Sequence, residues 1–354
     1  MPSMSIDQLL AIAAGLVESG ETPACQLAVA RDGEVECFET FGAATNENRF
    51  CAFSATKPIV ASAVWLLIGE GLLDITRPVA HYIPEFATNG KETVTVEQVL
   101  LHTSGFPNAP MDPVDGADTV TRVKRFTEWE LEWEPGTRFE YHPLAAHWVL
   151  AELIERLSGH DFRDFIDARL CEPLALPRLL GIPEEEQGDI VDGVKLGELA
   201  VTEPVDVDTI VFNEPAVRAA GVPGGGAHMT AATMARFYQA LLHNPNGLWN
   251  ADVLDDAKTN IRCTFPDPVM NVSANRTIGL VLAGDDGLHQ FRYGMFGKDT
   301  SPGTFGHAGA HSQVAWADPA TGMSFAFFKN GLQMDMLADA IKIIPLTNAA
   351  AALY

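Results

Sequence analysis

Phe53-Ser54-Ala55-Thr56-Lys57-Pro58-Ile59-Val60-Ala61-Ser62-Ala63-Val64-Trp65-Leu66-Leu67-Ile68-Gly69-Glu70 is the stretch from which the rest of the chain can be read. No charge interrupts it between Lys57 and Glu70, so it predicts a helix buried on all sides, starting near Ser54 and closing at Gly69 or Gly71. With Ser54 at the cap, Lys57 lies one turn on, and residues three apart on a helix share a face. An ammonium in an apolar setting loses solvation, so its pKa falls and the neutral amine becomes accessible. A neutral amine beside a hydroxyl can take its proton, which makes serine a nucleophile. The helix N-terminus adds positive potential and free N–H groups where an oxyanion would form. The plain alternative is a capping serine followed by an incidental surface lysine.

Outward from this helix, residues 6–17 carry helical spacing that ends at Gly20, and 24–31 and 35–41 flank the hairpin signal Asp32-Gly33. Residues 73–78 read as a turn-rich connector. Helical patterns then dominate to about 269, at 96–101 (stopped by Ser104-Gly105), 145–157, 162–170 and 231–242. Residues 183–215, acidic and rich in Pro, Gly and Val, predict a long surface loop, with Glu184-Glu185-Glu186 as solvated charge. Beyond 272 the runs 277–283, 312–318 and 323–329 predict strands, the last two joined by a turn at 319–322, and 334–344 predicts a closing helix. Strands at both ends imply one shared sheet, which gives an α+β architecture. Residues 1–75 together with 270–354 form the sheet domain in this reading, and 76–269 a mostly helical inserted domain.

The 354 residues hold 47 Asp+Glu against 23 Lys+Arg, a formal net charge of −24, and 47% are hydrophobic. Such a chain can bury a large core. Its acidity repels phosphates and anionic lipid, so neither nucleic acid nor a membrane is an expected partner, while a homo-oligomer stays open. No apolar run approaches the ~18 residues of a bilayer span. The ten N-terminal residues lack a basic segment followed by an apolar core, and the five cysteines (25, 37, 51, 171, 263) show no CxxC spacing. Scattered thiols in a reducing cytoplasm are expected, with no disulfide framework, zinc site or cofactor.

Two further segments bear on chemistry. In Pro135-Gly136-Thr137-Arg138-Phe139-Glu140-Tyr141-His142-Pro143, Tyr141 is either a packing aromatic or a phenol able to shuttle protons beside a lysine. In Thr304-Phe305-Gly306-His307-Ala308-Gly309-Ala310-His311, glycine allows close backbone approach, and His307 is either a polar edge residue or a donor facing an acyl group. No Gly-x-Ser-x-Gly elbow occurs, which removes the α/β-hydrolase route to esterase chemistry.

Taken in order, Ser54-x-x-Lys57, Tyr141-His142-Pro143 and His307-Ala308-Gly309 resemble the three motifs of serine β-lactamases and penicillin-recognising enzymes. Gly69–Asp74, Leu100–Gly105, Gly136–Tyr141 and Gly224–Thr230 look like the class C β-lactamase-like branch, which includes carboxylesterases, D-aminopeptidases and transacylases. The resemblance implies an antiparallel sheet with flanking helices, a helical domain, and an active site in the cleft between. It also implies that Ser54 is acylated, that Lys57 is its base, and that Tyr141 exchanges protons with the nucleophile and leaving group. The N–H groups of Ser54 and Ala310 would form the oxyanion hole, and Gly309 would close the third motif. His307, Gly309, His142, Trp133 and Phe106 are expected to line the substrate, with Phe212 and Phe296 as further candidate walls. Two departures stand out. Pro143 replaces the usual asparagine and has no side-chain hydrogen bond to give. His307 replaces a frequent lysine and is mostly neutral at pH 7. Both losses suit a neutral ester better than an anionic amide, so the favoured expectation is a serine carboxylesterase acting on a small-molecule ester. A β-lactamase, D-aminopeptidase or transacylase is the first alternative, using Arg292 or Lys298 as a substitute cation, and a catalytically silent ligand-binding protein the second.

Overall fold

Ala24–Arg31 (β1) and Glu34–Gly42 (β2) form the hairpin expected around Asp32-Gly33, and both turn residues take positive φ, 52° and 83°. That is what a tight turn matching the right-handed strand twist requires. The computed structural model describes residues 4–197 and 209–354. Its other strands are β3 (Phe50–Cys51), β4 (Val194–Leu196), β5 (His228–Met229), β6 (Val281–Leu282), β7 (Phe305–Gly306), β8 (Val314–Asp318), β9 (Met323–Lys329) and β10 (Gly331–Gln333). Six of them make one antiparallel sheet in the order β2-β1-β9-β8-β7-β6. The two ends of the chain therefore meet at its centre, where Cys25 opposes Lys329 and Arg31 opposes Met323.

Both faces of β1 are covered, and side chains alternate between them. Cys25, Leu27 and Val29 pack with Leu9 and Ala13 of helix Ile6–Glu18 and with Ile343 and Leu346 of helix Met336–Ala351. Ala24, Ala28 and Ala30 face the larger core on the other side. Their small size lets helix Ala231–His243 lie close, and Gln239 of that helix donates to the carbonyl of Ala30 at 3.0 Å and to Ser324 Oγ at 3.1 Å. Helix Lys57–Gly69 is buried without break from Lys57 to Leu67, as an uncharged run predicts. Helices Ala145–Ser158, Phe162–Ile166 and Val96–Leu100 stand at their expected places. The α+β architecture is the observed one, and no helix among the described residues is long and apolar enough to cross a membrane.

Three expectations change. The run 277–283 pairs only at Val281–Leu282, because Gly279 takes φ 119° where a Cβ would stand 2.3 Å from Ala61 Cβ. The stretch 183–215 is not one loop. Its part 198–208 lies outside the described residues, but β4 pairs in parallel with β10, and Gln187 and Phe212 are buried. The closing helix runs on to Ala351 through Pro345, held by Leu346, Ala349 and Ala350 in the core.

Candidate active site

Ser54 does not cap the long helix. It is the second residue of a 3₁₀ turn, Phe53–Thr56, and the α-helix begins at Lys57. The first hydrogen bond of that turn runs from Ala55 N–H to the carbonyl of Ala52 at 3.1 Å, so the preceding Ser54 N–H lies ahead of the turn's own bonding. Thr56, at the cap position, instead accepts from the N–H of Ala227 at 3.0 Å. Phe53 holds φ 43°, a strained conformation for a bulky residue, and its ring is fixed edge-on against Phe212 and His311. The strain presents Ser54 at the tip, half-buried, while its neighbours Phe53 and Ala55 are buried.

Lys57 is 1% exposed. Its Nζ lies 2.6 Å from the carbonyl oxygens of both Pro143 and Gly224, and 3.1 Å from Ser54 Oγ. Burial, reinforced by the Arg276 guanidinium, lowers its pKa well below the ordinary lysine value. A neutral amine has two N–H bonds and one lone pair. The two carbonyls take the N–H bonds, which leaves the lone pair toward the Ser54 hydroxyl. Gly224 makes this cradle feasible, since a Cβ there would stand 3.0 Å from the Pro143 carbonyl oxygen.

Tyr141 stacks on Tyr293 (ring centres 4.7 Å apart, planes at 16°), and Lys57 Nζ lies 4.9 Å from its ring centre. The hydroxyl is enclosed and makes no hydrogen bond of ordinary geometry, although Ser54 is near enough to favour its ionised form. Burial pushes the phenol up to about 12, against the opposing pull of Arg276 and Ser54. Gly309 passes directly against the Ser54 turn, where a Cβ would meet the Ala52 carbonyl oxygen at 2.3 Å. The next residue, half-buried Ala310, opens a tight turn in which His311 and Ser312 take positive φ, 54° and 62°.

The remaining expected pocket residues divide. His307 is fully buried with its ring centre 5.9 Å from that of Tyr141, and burial holds its pKa well below the usual imidazole value, so it is a neutral ring. Its Nε2 has no partner. His142 and Phe106 are enclosed by protein. His142 Nε2 accepts from Phe106 N–H at 3.2 Å, which places the proton on Nδ1, donated to the Glu140 carbonyl at 2.6 Å. Burial takes its pKa down to about 3, and it clips two loops together. Phe106 is fully buried against Phe86, Trp129 and His142. Trp133 is half-buried under Arg138, 4.9 Å from its ring centre. Arg292 is engaged by Asp286 and by the carbonyls of Ser273 and Ala283, and Lys298 is exposed beside Asp299.

The sequence gives no sign of Tyr293 or of Arg276 in this neighbourhood. Arg276, 2% exposed, sits 5.3 to 5.5 Å from the ring centres of Tyr141, Tyr293 and Phe139. It belongs to no motif, and backbone pairing with Cys263 and Val281 holds it here. Among the described residues no grouping of His, Cys, Asp and Glu is placed to hold a metal ion.

A family model described as Beta-lactamase matches residues 9–347. The chain is 26% identical over 316 residues to the Esterase/beta-lactamase LipL of Mycobacterium tuberculosis, covering 79% of this chain and 68% of that relative. A family VIII carboxylesterase structure aligns with a TM-score of 0.80 at 23% identity, over 98% of this chain and 96% of that one. A penicillin-binding protein homolog from Caulobacter crescentus gives 0.79 at 24%, over 98% and 96%, and at such identities the likeness is one of fold. With the family model spanning almost its whole length, the chain belongs to the Beta-lactamase family, a serine hydrolase family with esterases among its relatives.

Proposed function

We propose that this protein is a serine carboxylesterase that works through an acyl-enzyme on Ser54. One observation carries the reading: buried Lys57 Nζ lies 2.6 Å from two carbonyl oxygens and 3.1 Å from Ser54 Oγ. As Ser54 Oγ adds to the ester carbonyl carbon, its proton passes to Lys57. The carbonyl oxygen takes up negative charge between the N–H groups of Ser54 and Ala310, where one donor is typically worth ~100–1000-fold in rate. Collapse re-forms the carbonyl and expels the alcohol, which takes the Tyr141 proton. Water activated at the same centre then frees the acid, and a competing alcohol or amine makes the site a transacylase. The Ser54 turn and Gly309 come from the sheet-bearing ends, 1–75 and 270–354, and Tyr141 and Gly224 from 76–269, which we read as two domains meeting at the site.

A neutral ester fits better than an anionic amide. His307 carries no charge, Arg292 and Lys298 are engaged elsewhere, and Arg276 is enclosed by aromatic rings. The β-lactamase or D-aminopeptidase reading keeps second place because a relative's name couples esterase with beta-lactamase. The Pro143 carbonyl weakens the case for a silent binder, since it reaches Lys57 without the missing asparagine. Five free thiols suit a reducing, cytoplasmic setting.

The test is to label the protein with a fluorophosphonate and map the adduct, beside turnover of short p-nitrophenyl esters, a chromogenic cephalosporin and D-Ala amides. Labelling at Ser54, ester turnover and its abolition in Ser54→Ala are expected. An adduct elsewhere removes the central assignment, and faster cephalosporin turnover gives the second reading first place.

A further inference from the structure

Among the described residues, the other deeply buried basic side chains have clear partners. Arg122 pairs with Glu152 and Glu155, Arg218 with Asp192, Arg292 with Asp286 and Lys329 with Asp339, while Lys57 and Lys91 donate to carbonyls. Arg276 differs. Its Nε and Nη2 find no acceptor, and three aromatic rings surround it. A guanidinium cannot shed its charge, and an uncompensated buried charge is strongly unfavourable.

The groups around it show what the charge could answer. Lys57, His102, His147 and His307 are bases, and all feel Arg276 as a like charge that lowers their pKa. The acidic groups that feel it are Tyr141, Tyr293, Cys263 and Asp267. Asp267 is occupied in part by the N–H groups of Val269 and Met270, at 2.8 and 3.0 Å. Tyr293 and Cys263 lie outside the proposed proton path. Tyr141 alone both contacts Arg276 and faces Ser54.

We propose that Arg276 is a positioning residue whose guanidinium, packed against the Tyr141 ring, balances the negative charge left on Tyr141 when the phenol protonates the departing alcohol. This rests on the Ser54 acyl-enzyme reading above. As the ester C–O bond breaks, its electron pair stays on the alcohol oxygen, and the Tyr141 proton bonds there. The phenolate persists beside Arg276 until the Lys57 ammonium, which holds the proton taken from Ser54, returns it. Nothing is oxidised or reduced, and the guanidinium keeps its charge throughout.

Leaving groups separate this role from a structural one. A p-nitrophenolate departs without a proton, whereas an alkoxide needs one. Arg276→Met should therefore lower kcat/KM for ethyl butyrate at least about tenfold more than for p-nitrophenyl butyrate. Arg276→Lys, which keeps the charge without the planar contact, should show a smaller selective loss. The ratio of the two rates in one preparation is independent of the folded fraction, and any change in Lys57 affects both esters alike. If Arg276→Met yields no folded protein, Arg276→Lys is read the same way. Equal losses on both esters, or none, overturn the proposal. Failure of the underlying reading shows separately, as fluorophosphonate labelling away from Ser54 or as a Tyr141→Phe variant that spares the ethyl ester.

Discussion

At the scale of single residues, the site turns on how little the ammonium form of Lys57 has to gain. Burial strips its water and Arg276 adds like charge, so its proton leaves well below the ordinary 10.5. Only the neutral amine can take the Ser54 proton. The sign follows: kcat/KM for a neutral ester should climb with pH as Lys57 loses its proton, and level off while still below 10.5. A climb centred on the ordinary lysine value would mean a solvated ammonium and remove Lys57 as the base. Lys57→Arg keeps a proton that cannot be given up, so its ester turnover should fall at least about 100-fold in the same assay. The serine and lysine were legible in the sequence because their relation is local, three residues along one helical start. The Pro143 carbonyl was not, because a backbone acceptor leaves no mark on residue type. Nor was Arg276, whose place depends on its pairing with Cys263 and on a fold bringing Tyr141 to it from 135 positions away.

Among the elements, the segment that carries Gly309 sets how closely the third motif approaches the nucleophile. A Cβ there would lie 2.3 Å from the Ala52 carbonyl oxygen and 3.0 Å from Gln313 Cβ. Backbone cannot yield at such distances without moving the whole strand end. Gly309→Ala should therefore draw Ala310 away from Ser54 and slow fluorophosphonate labelling by about 100-fold or more, with far-UV circular dichroism unchanged. An unaltered labelling rate would detach this segment from the oxyanion site. Element types read well where one signal dominates: Asp32-Gly33 for the hairpin, the uncharged run for helix Lys57–Gly69, the apolar stripe for helix Ala145–Ser158. They read poorly where a distant contact decides. Gly279 breaks an otherwise strand-like run because Ala61 packs there, and β4 exists because β10 lies alongside it.

Across the whole molecule, one joint follows from a pattern that can be read and another from chemistry that cannot. Strand-like runs at both termini implied a shared sheet, and β1 does pair with β9. The other is a buried ion pair within the C-terminal part, where Lys329 Nζ at the end of β9 lies 2.5 Å from Asp339 of helix Met336–Ala351. Nothing in a lone lysine and an acid ten residues on distinguishes that pair from two surface charges. Asp339 also accepts from the Ser312 hydroxyl at 2.7 Å, so the same carboxylate anchors the turn that holds Ala310. Removing it strands a buried ammonium, an effect of about 3–5 kcal/mol. Asp339→Ala should lose that much stability in urea unfolding, whereas Lys329→Met with Asp339→Leu should recover most of it, because no charge is left buried. Both forms should hydrolyse esters more slowly at temperatures far below their unfolding, since each releases Ser312 and with it the backbone N–H of Ala310. A double variant that regains stability but not turnover would tie the anchor to the chemistry, whereas full recovery of both would leave the turn independent of Asp339.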